Sequence, residues 1–459
     1  MKILRTYIRA GLICILLQAL LVSCVSKHQK ANPAILTDAN LLHNNMHQLT
    51  EVVILDMFSP PVSSRIYSYA SLAAYETMRF NQNNASSIVE RLHGFVKMPV
   101  PDKSKNYNYL LAATKAFFTV AKKITFSKDT LENYENKVYR DFKSLLDKDS
   151  YEQSLAFGES VGAAVLERTK VDQYKETRGM PKFLGSDDQG KWRPTPSDYL
   201  DALEPNWGLI KPLVLDSAAE IKCPAPPKFS LEKGTPFFKA ASEVYEIGTH
   251  LDDARKTIAR YWDDNPFVIE HSGHLMFGNK KITPVGHWIG ITGIACKMKN
   301  LDPVETARMY ALTSIGMFDV IISCWREKYI HNVIRPVTVI NEAFDRNWTT
   351  FLQTPPFPEH SSGHSGISAA AAAILTKRFG DNFAFEDTSD LAYIGMRRSF
   401  KSFVSAAQEA SISRVYGGIH YRTGVDAGAV QGRAVAAYVI DRFLQDSIKK
   451  PKEDVAKVK

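Results

Sequence analysis

The chain has 459 residues, of which 45% are hydrophobic and 23% are charged. These values are ordinary for a globular protein and exclude a collagen-like, coiled-coil or wholly disordered chain. The length allows two or three average domains or one large helical unit. The formal net charge is +8, but much of it comes from the cationic N-terminus and a lysine-rich C-terminal tail. A nucleic-acid-binding surface is therefore not expected.

The first 41 residues have the composition of an export leader followed by a tether. Cations precede an apolar stretch at residues 10–21, which is short for a membrane span. The sequence LVSC that follows resembles a bacterial lipobox, in which the cysteine is lipidated and becomes the new N-terminus. This pattern predicts a signal peptide at 1–23, a lipid anchor on Cys24 and a polar tether at 24–41. The expected location is the bacterial cell envelope, on the outer membrane.

Residues 42–235 are predicted to form an N-terminal helical region. Apolar residues recur at steps of three and four in the segments 60–80, 107–123, 128–147 and 150–171. Residues 172–235 are rich in Pro, Gly, Asp and Lys and predict a long irregular segment. In a compact protein such a segment is usually functional or marks a boundary.

Residues 236–446 are predicted to form a C-terminal helical bundle, and residues 447–459 a basic tail. Asp302-Pro303 is typical of a helix start, and we expect that helix to run to Arg335, where Pro336 stops it. Further helices are expected over 236–262, from Ser362, over 402–416 and over 424–446. Because strand-like alternation is scarce, the predicted fold class is all-α.

Two clusters in this bundle have the residue types of an anion site. Lys328 and Arg335 are seven residues apart, so one helix would place them on the same face. Ser362, Gly363 and His364 stand at a predicted helix start, where free backbone amides and the helix dipole attract anions. His364 is also a candidate proton donor.

A third cluster places Arg414 near the end of a helix and His420 beyond a corner formed by two glycines. Taken singly, each cluster also fits a solvated basic face or a structural histidine. Together they offer three permanent cations, a hydroxyl, a glycine amide and two histidines. That set suits a tetrahedral oxyanion, because fixed cations and donors stabilise the charge on its oxygens.

The order Lys-x6-Arg-Pro, Ser-Gly-His and Ser-Arg-x5-His resembles the superfamily of vanadium-dependent haloperoxidases and type 2 phosphatidic acid phosphatases. The resemblance covers residues 250–445 and implies the helical bundle of that superfamily. It implies that His364 is the general acid–base and that His420 is either the vanadate ligand or the phosphoryl nucleophile. It also implies a set of residues that bind the oxyanion: Lys328, Arg335, Ser362, Gly363 and Arg414.

The resemblance leaves two chemistries open, and the aromatic residues favour one of them. Trp325 and Phe357 are similar to haloperoxidase residues that line the halide pocket, and His360 is expected to adjust that pocket. We therefore rank a haloperoxidase that oxidises halide with hydrogen peroxide at vanadate ahead of a phosphatase. The phosphatase would hydrolyse phosphate esters through a phosphohistidine and would need no metal. A non-catalytic oxyanion-binding lipoprotein is the third alternative.

Carboxylates near the site are harder to assign. The stretch ARKTIARYWDDNP resembles a haloperoxidase segment that supplies a carboxylate beside the second arginine, which makes Asp264 the first candidate and Asp263 the second. Gly424 stands where many members of the superfamily carry an aspartate. Asp426 is the nearest replacement, so the group that orients His420 is left open.

Overall fold

The computed structural model describes residues 32–82, 85–266, 268–272, 275–279 and 281–445. The predicted signal peptide, Cys24 and the basic tail lie outside the described residues, as does the tether up to residue 31. The all-α fold class is confirmed, since helices make up most of the described chain and strands form only short hairpins.

The N-terminal region forms the helices α1 (Asn40–Leu55), α2 (Pro60–Met78), α3 (Tyr109–Ile124), α4 (Lys128–Leu145), α5 (Lys148–Thr169) and α6 (Tyr174–Arg178). Local sequence signals set where they begin. Ser59 accepts a hydrogen bond from the Val62 amide and is followed by prolines at the first helical positions. The side chains of Asn108 and Asp147 cap α3 and α5 in the same way.

The C-terminal region forms α7 (Pro236–Thr249), α8 (Asp253–Tyr261), α9 (Pro284–Met298), α10 (Pro303–His331), α11 (Pro336–Ala343), α12 (Gly363–Phe379), α13 (Leu391–Ile394), α14 (Phe403–Tyr416) and α15 (Arg422–Phe443). Two antiparallel hairpins interrupt them, β1 (Val268–Ser272) with β2 (Leu275–Asn279) and β3 (Phe385–Asp387) with β4 (Arg398–Phe400).

Two predicted helices differ from the structure. The helix predicted over 236–262 is divided, because Asp252 accepts a hydrogen bond from the Arg255 amide and starts α8. The helix predicted to reach Arg335 ends at His331, because Asn332 adopts a left-handed conformation with φ 51° and ψ 47°. Pro336 starts α11 rather than ending α10. Lys328 and Arg335 therefore do not share one helix face, and that prediction was wrong.

One hydrophobic core joins both regions and extends from Leu41 to Leu444. Helix α10 lies at its centre, packed against α2, α12 and α15. By length and composition, α10 is the one described helix that could cross a membrane, but 94% of its apolar window is buried inside the protein. Its hydrophobicity is thus accounted for by its central position.

The irregular segment 172–235 runs along α10 and is fixed to it by hydrogen bonds. The Asp319 carboxylate accepts the backbone amides of residues 213–215 at 2.7–3.0 Å. Further along, Trp325 Nε1 and Tyr329 Oη donate to the Leu203 carbonyl at 3.3 and 2.6 Å. Because of these bonds, a loop with little regular structure has a defined position beside the candidate site.

Candidate active site

The three sequence clusters converge at one end of α10. Lys328 lies in the last turn of α10, and Arg335 is the residue before α11. The Ser362 backbone amide donates to the Gly424 carbonyl at 2.9 Å, which ties the start of α12 to the start of α15. The chain turns after α14 at Gly418, where φ is 77°, and this turn brings His420 back to the site.

Lys328 is fully buried, and its ammonium group is bonded to backbone oxygens. Nζ donates to the carbonyls of Pro358 and Glu359 at 3.1 Å each and to that of Ser361 at 2.5 Å. Burial lowers the pKa of Lys328 to about 8. Nζ also lies 4.9 Å from the centre of the Phe357 ring. An ammonium has three N–H donors, and these three carbonyls use all of them. Lys328 therefore holds the 358–361 loop in place and contributes its positive charge to the site.

The two arginines are also buried but retain unbonded donors. Arg335 Nε donates to the Phe357 carbonyl at 2.8 Å and Nη1 to the Ile419 carbonyl at 2.7 Å. Arg414 Nη1 donates to the Trp262 carbonyl. Arg335 Nη2 and Arg414 Nε are buried without a hydrogen-bond partner among the described atoms. Burial lowers the pKa of both arginines.

The Ser-Gly-His cluster lies where the sequence predicts it, at the start of α12. Ser362 caps the helix by accepting from the Ser365 amide at 3.4 Å. The amides of Gly363 and His364 are in the first turn, where no intrahelical acceptor exists. Burial, followed by the charge of Arg414, lowers the pKa of His364 well below its usual value. Its Nε2 is buried and unbonded among the described atoms.

His420 is held by a carboxylate that the sequence reasoning missed. Its Nδ1 lies 2.7 Å from Glu359 Oε1, and Arg335 Nη1 lies 3.2 Å from its Nε2. A proton on Nδ1 would be donated to Glu359, which leaves the Nε2 lone pair directed toward the cations. Burial raises the pKa of Glu359 to about 7, and burial lowers the pKa of His420 well below its usual value.

Gly424 explains why the carboxylate comes from Glu359. A Cβ atom built on Gly424 would overlap both carboxylate oxygens of Glu359. The two positions therefore compete for the same space beside His420. The absent aspartate at 424 was the signal that another carboxylate had to be sought, and Glu359, three residues before Ser362, was available in the sequence.

Of the other candidate carboxylates, two lie near the site and one lies elsewhere. Asp264 lines the cavity at the site and Asp263 forms an ion pair with Lys281, and both raise the pKa of Arg414 against the effect of burial. Asp426 lies elsewhere, in a groove with residues of α12, α14 and α15. It is not the partner of His420, because Glu359 occupies that place.

The cavity at the site has mostly apolar walls. It encloses about 510 Å³ including its open mouth. Gly363, His364, Arg414 and His420 lie in its lining, together with Trp325 and Phe357 as expected. The other wall residues are Pro60, Leu203, Asn265, Pro266, Pro284, Pro355, Pro356 and Ile367. Asn265 and Pro266 belong to the ARKTIARYWDDNP stretch, and Pro355 and Pro356 directly precede Phe357. Pro60, Leu203 and Pro284 come from parts of the chain to which no motif pointed.

His360 is not part of that lining, contrary to the sequence-based expectation. Its Nε2 lies 3.0 Å from the Pro224 carbonyl and 3.4 Å from Cys223 Sγ. Burial lowers the pKa of His360 to about 4. The side chain therefore fastens the irregular segment to the site loop instead of facing the cavity.

The residues present fit a tetrahedral oxyanion such as vanadate. Unbonded donors on Arg335 and Arg414 and the unbonded Nε2 of His364 belong to the same site as His420 Nε2, whose lone pair can act as a ligand. Buried donors without partners are costly, so their clustering here indicates an anion that supplies the missing acceptors. Arg335, Arg414, the Gly363 amide and Ser362 would hold the oxygens, and His420 Nε2 would ligate the metal.

Comparisons with known proteins agree with this geometry. A family model described as the VCPO second helical-bundle domain matches residues 308–449. The crystal structure of a bacterial vanadium-dependent iodoperoxidase is similar, with a TM-score of 0.85 and 42% identity over 90% of this chain and 98% of that one. A search of curated protein sequences found no match.

Two further structures share the fold at lower identity. The holo form of a bacterial vanadium-dependent chloroperoxidase has a TM-score of 0.65 and 16% identity, over 86% of this chain and 94% of that one. The apo form has a TM-score of 0.64, with 84% and 94% covered. With 42% identity to the iodoperoxidase over nearly its whole length, this chain belongs to the vanadium haloperoxidase superfamily and is an enzyme.

Proposed function

We propose that the protein is a vanadium-dependent haloperoxidase that oxidises halide with hydrogen peroxide and that iodide is its preferred halide. The observation that carries the proposal is the set of unpartnered nitrogens on Arg335, Arg414 and His364 around His420. The likeness to a protein named as an iodoperoxidase supports the choice of halide.

Bound vanadate would supply a Lewis acid that activates hydrogen peroxide toward attack by halide. The chain's own residues prepare the site for this chemistry. Glu359 keeps the His420 Nε2 lone pair available, and the arginines and helix amides balance negative charge in a water-poor cavity. His364, neutral at rest because of its burial, accepts or returns a proton at Nε2.

The apolar wall supports iodide over smaller halides. Trp325 and Phe357 lie with their ring centres 5.1 Å apart, and prolines line much of the remaining wall. Transferring an anion from water into such surroundings costs free energy that falls as the ion becomes larger. Iodide is the largest common halide and so has the lowest cost. The nearby Lys328 and Arg335 charges, each 4.9 Å from the Phe357 ring centre, offset part of that cost.

The test is an activity assay of the purified protein with and without orthovanadate. We expect peroxide-dependent oxidation of iodide that requires vanadate, with bromide a poorer substrate, and loss of that activity in His420→Ala. Hydrolysis of phosphate esters without any halide oxidation would contradict the proposal and would favour the phosphatase chemistry of the same superfamily.

We also propose that lipid on Cys24 attaches the enzyme to the outer membrane of the cell envelope. The support is the LVSC sequence after a short apolar stretch. Labelling with a fatty-acid analogue should mark the full-length protein and not Cys24→Ser. Equal labelling of both, or release of both in soluble form, would contradict the anchor.

A further inference from the structure

A second group of buried ionisable residues lies behind the oxyanion site. We name it the Asp–His cluster, and it consists of Asp264, His287, Asp387 and Asp390. His287 Nδ1 lies 3.0 Å from Asp264 Oδ1 and 3.5 Å from Asp390 Oδ2, and its Nε2 lies 2.9 Å from Asp387 Oδ2. All four side chains are at least nine-tenths buried.

The geometry makes His287 a cation. Both ring nitrogens face carboxylate oxygens, so both must carry hydrogens to make these bonds. Burial alone would lower the pKa of His287, but the three carboxylates outweigh it and raise the pKa well above the usual value. The ligand-type atoms of Asp264, His287 and Asp390 lie within 4.8 Å of one another. A metal ion there would have to displace a hydrogen from His287, whose two ring nitrogens are both hydrogen-bonded to carboxylates. We therefore assign no metal to the cluster.

The cluster reaches the active site through Asp264. Asp264 Oδ2 lies 4.0 Å from His364 Nε2, the buried nitrogen without a partner among the described atoms. This gap exceeds a hydrogen bond but is closed by a small side-chain rotation or by one bridging water. Asp264 also lines the cavity, so it belongs to both groups.

On its other side the cluster adjoins a second cavity. Thr388 and Ser389, which lie between Asp387 and Asp390 in the sequence, line that cavity together with Gly286 and Gly290 of α9. His43 and Lys297 also line it. The Asp–His cluster thus has the active-site cavity at one end and a second cavity, with both polar and apolar walls, next to its other end.

The proposed reaction needs a supply of protons, which a connection of this kind would provide. Oxidation of a halide by peroxide follows H₂O₂ + X⁻ + H⁺ → HOX + H₂O, so each turnover consumes one proton. The halide loses two electrons, the O–O bond breaks, and one oxygen leaves as water. The cavity has mostly apolar walls, so protein groups are the better route for that proton.

We propose that Asp264, His287, Asp387 and Asp390 form a buried relay that returns a proton to His364 in each turnover. The proposal rests on the proposed function. Asp264 makes the transfer to His364, and His287 fixes the Asp264 carboxylate and links it to Asp387 and Asp390. Burial raises the pKa of Asp390 to about 8, so a proton is held in the cluster near neutral pH. Other charged or titratable groups face the cluster: Lys281, Tyr261 and Arg414.

The test compares Asp264→Asn and His287→Gln with wild type, and His93→Gln serves as the matched control. Asp264 has a positive φ of 40°, which asparagine tolerates. His93 also faces a carboxylate, with its Nε2 3.2 Å from Asp216 Oδ1, and it lines neither cavity. We expect Asp264→Asn to lower kcat roughly 100-fold, as for loss of general acid–base assistance. Vanadate affinity, measured by equilibrium dialysis, should change less than about threefold.

Two further readouts separate a relay from a structural role. Small weak acids added to the assay should restore part of kcat in Asp264→Asn, in proportion to their protonated form, and should not affect His93→Gln. Nitrogen NMR of the vanadate-free protein should show His287 protonated at both nitrogens at pH 8. If His287→Gln fails to fold, Asp264→Asn carries the comparison.

The outcomes are distinct. Unchanged kcat in Asp264→Asn, equal losses of kcat and vanadate affinity, or a neutral His287 would overturn the relay while leaving the haloperoxidase intact. Wild-type protein that binds vanadate but does not oxidise halide would overturn the proposed function, and the relay with it.

Discussion

Arg65, a buried arginine of the N-terminal region, differs in its partners from the two buried arginines of the active site. In the N-terminal region, Arg65 Nε lies 2.7 Å from Asp172 Oδ2, and Tyr69 Oη donates to the same oxygen at 2.9 Å. At the active site, Arg335 is hydrogen-bonded to two carbonyls and to His420, and Arg414 donates to one carbonyl. A carboxylate completes the first site, whereas the second retains unused donors.

The difference shows how one fold separates stability from binding. A buried charge needs a partner. Where the chain supplies it, the charge holds helices together, as Arg65 and Asp172 join α2 to the end of α5. At the active site the chain leaves the partner out; the cost is offset when an anion binds, and the site is prepared for that anion in advance.

The largest effect should come from breaking the N-terminal pair. Asp172→Asn leaves Arg65 buried beside a neutral group, and we expect a loss of about 3–5 kcal/mol in the free energy of unfolding. Chemical denaturation measures it. Vanadate affinity per folded molecule should stay at the wild-type value. A parallel loss of affinity would contradict the separation of stability from anion binding.

Removing a cation from the active site should have the opposite pattern. Arg335→Met deletes an unbonded donor and a buried charge, so we expect vanadate binding to weaken by about 2–5 kcal/mol. The free energy of unfolding without vanadate should fall much less than in Asp172→Asn. A stability loss as large as that of Asp172→Asn would mean that Arg335 is mainly structural.

The carboxylate beside His420 extends the comparison, because its partner is a histidine rather than a permanent cation. Glu359→Gln should weaken vanadate binding roughly 10–100-fold, as for other partners of metal-bound histidines. Gly424→Asp alone should be poorly tolerated, since its side chain overlaps Glu359. The double change Glu359→Ala with Gly424→Asp should recover part of the lost affinity. If the Glu359→Ala protein and the double variant both fold and the double variant recovers no vanadate affinity, the two side chains do not substitute for each other beside His420.

The smallest effect concerns Asp319, at the middle of α10 between the two regions. Burial raises its pKa from the ordinary 3.8 to about 6. Because the folded value is the higher one, the stability that this group contributes is complete below pH 3.8 and is lost as the pH rises through 6. The unfolding free energy of wild type minus that of Asp319→Asn should therefore decrease between pH 4 and 6.5. A constant or rising difference would contradict this.

The sequence was sufficient where local chemistry decides the structure. The apolar periodicity gave α2, α3, α4 and α5 to within a few residues, and in the structure Ser59, Asn108 and Asp147 cap three of them. The predicted helix start at Ser362 is confirmed for α12, which Ser362 caps. A left-handed residue, by contrast, carries only a weak local signal, and Asn332 ended α10 before the proline that was expected to do so.

The site was predictable in its residue types but not in all its contacts. The three clusters were identified because their spacing is read directly along the chain. Glu359 and the Asp–His cluster depend on packing between distant segments, such as His287 with Asp387 across 100 positions. His360 was assigned to the pocket because it neighbours the motif, but the loop turns its side chain toward Cys223.

The most direct test of the central claim is calorimetric titration of the vanadate-free protein with orthovanadate. The unused donors of Arg335 and Arg414 and the unbonded Nε2 of His364 predict one binding site per chain, with affinity strongly reduced in Arg335→Met and in His420→Ala and unchanged in Asp172→Asn. Absence of binding in wild type, or equal affinity in wild type and Arg335→Met, would contradict the account.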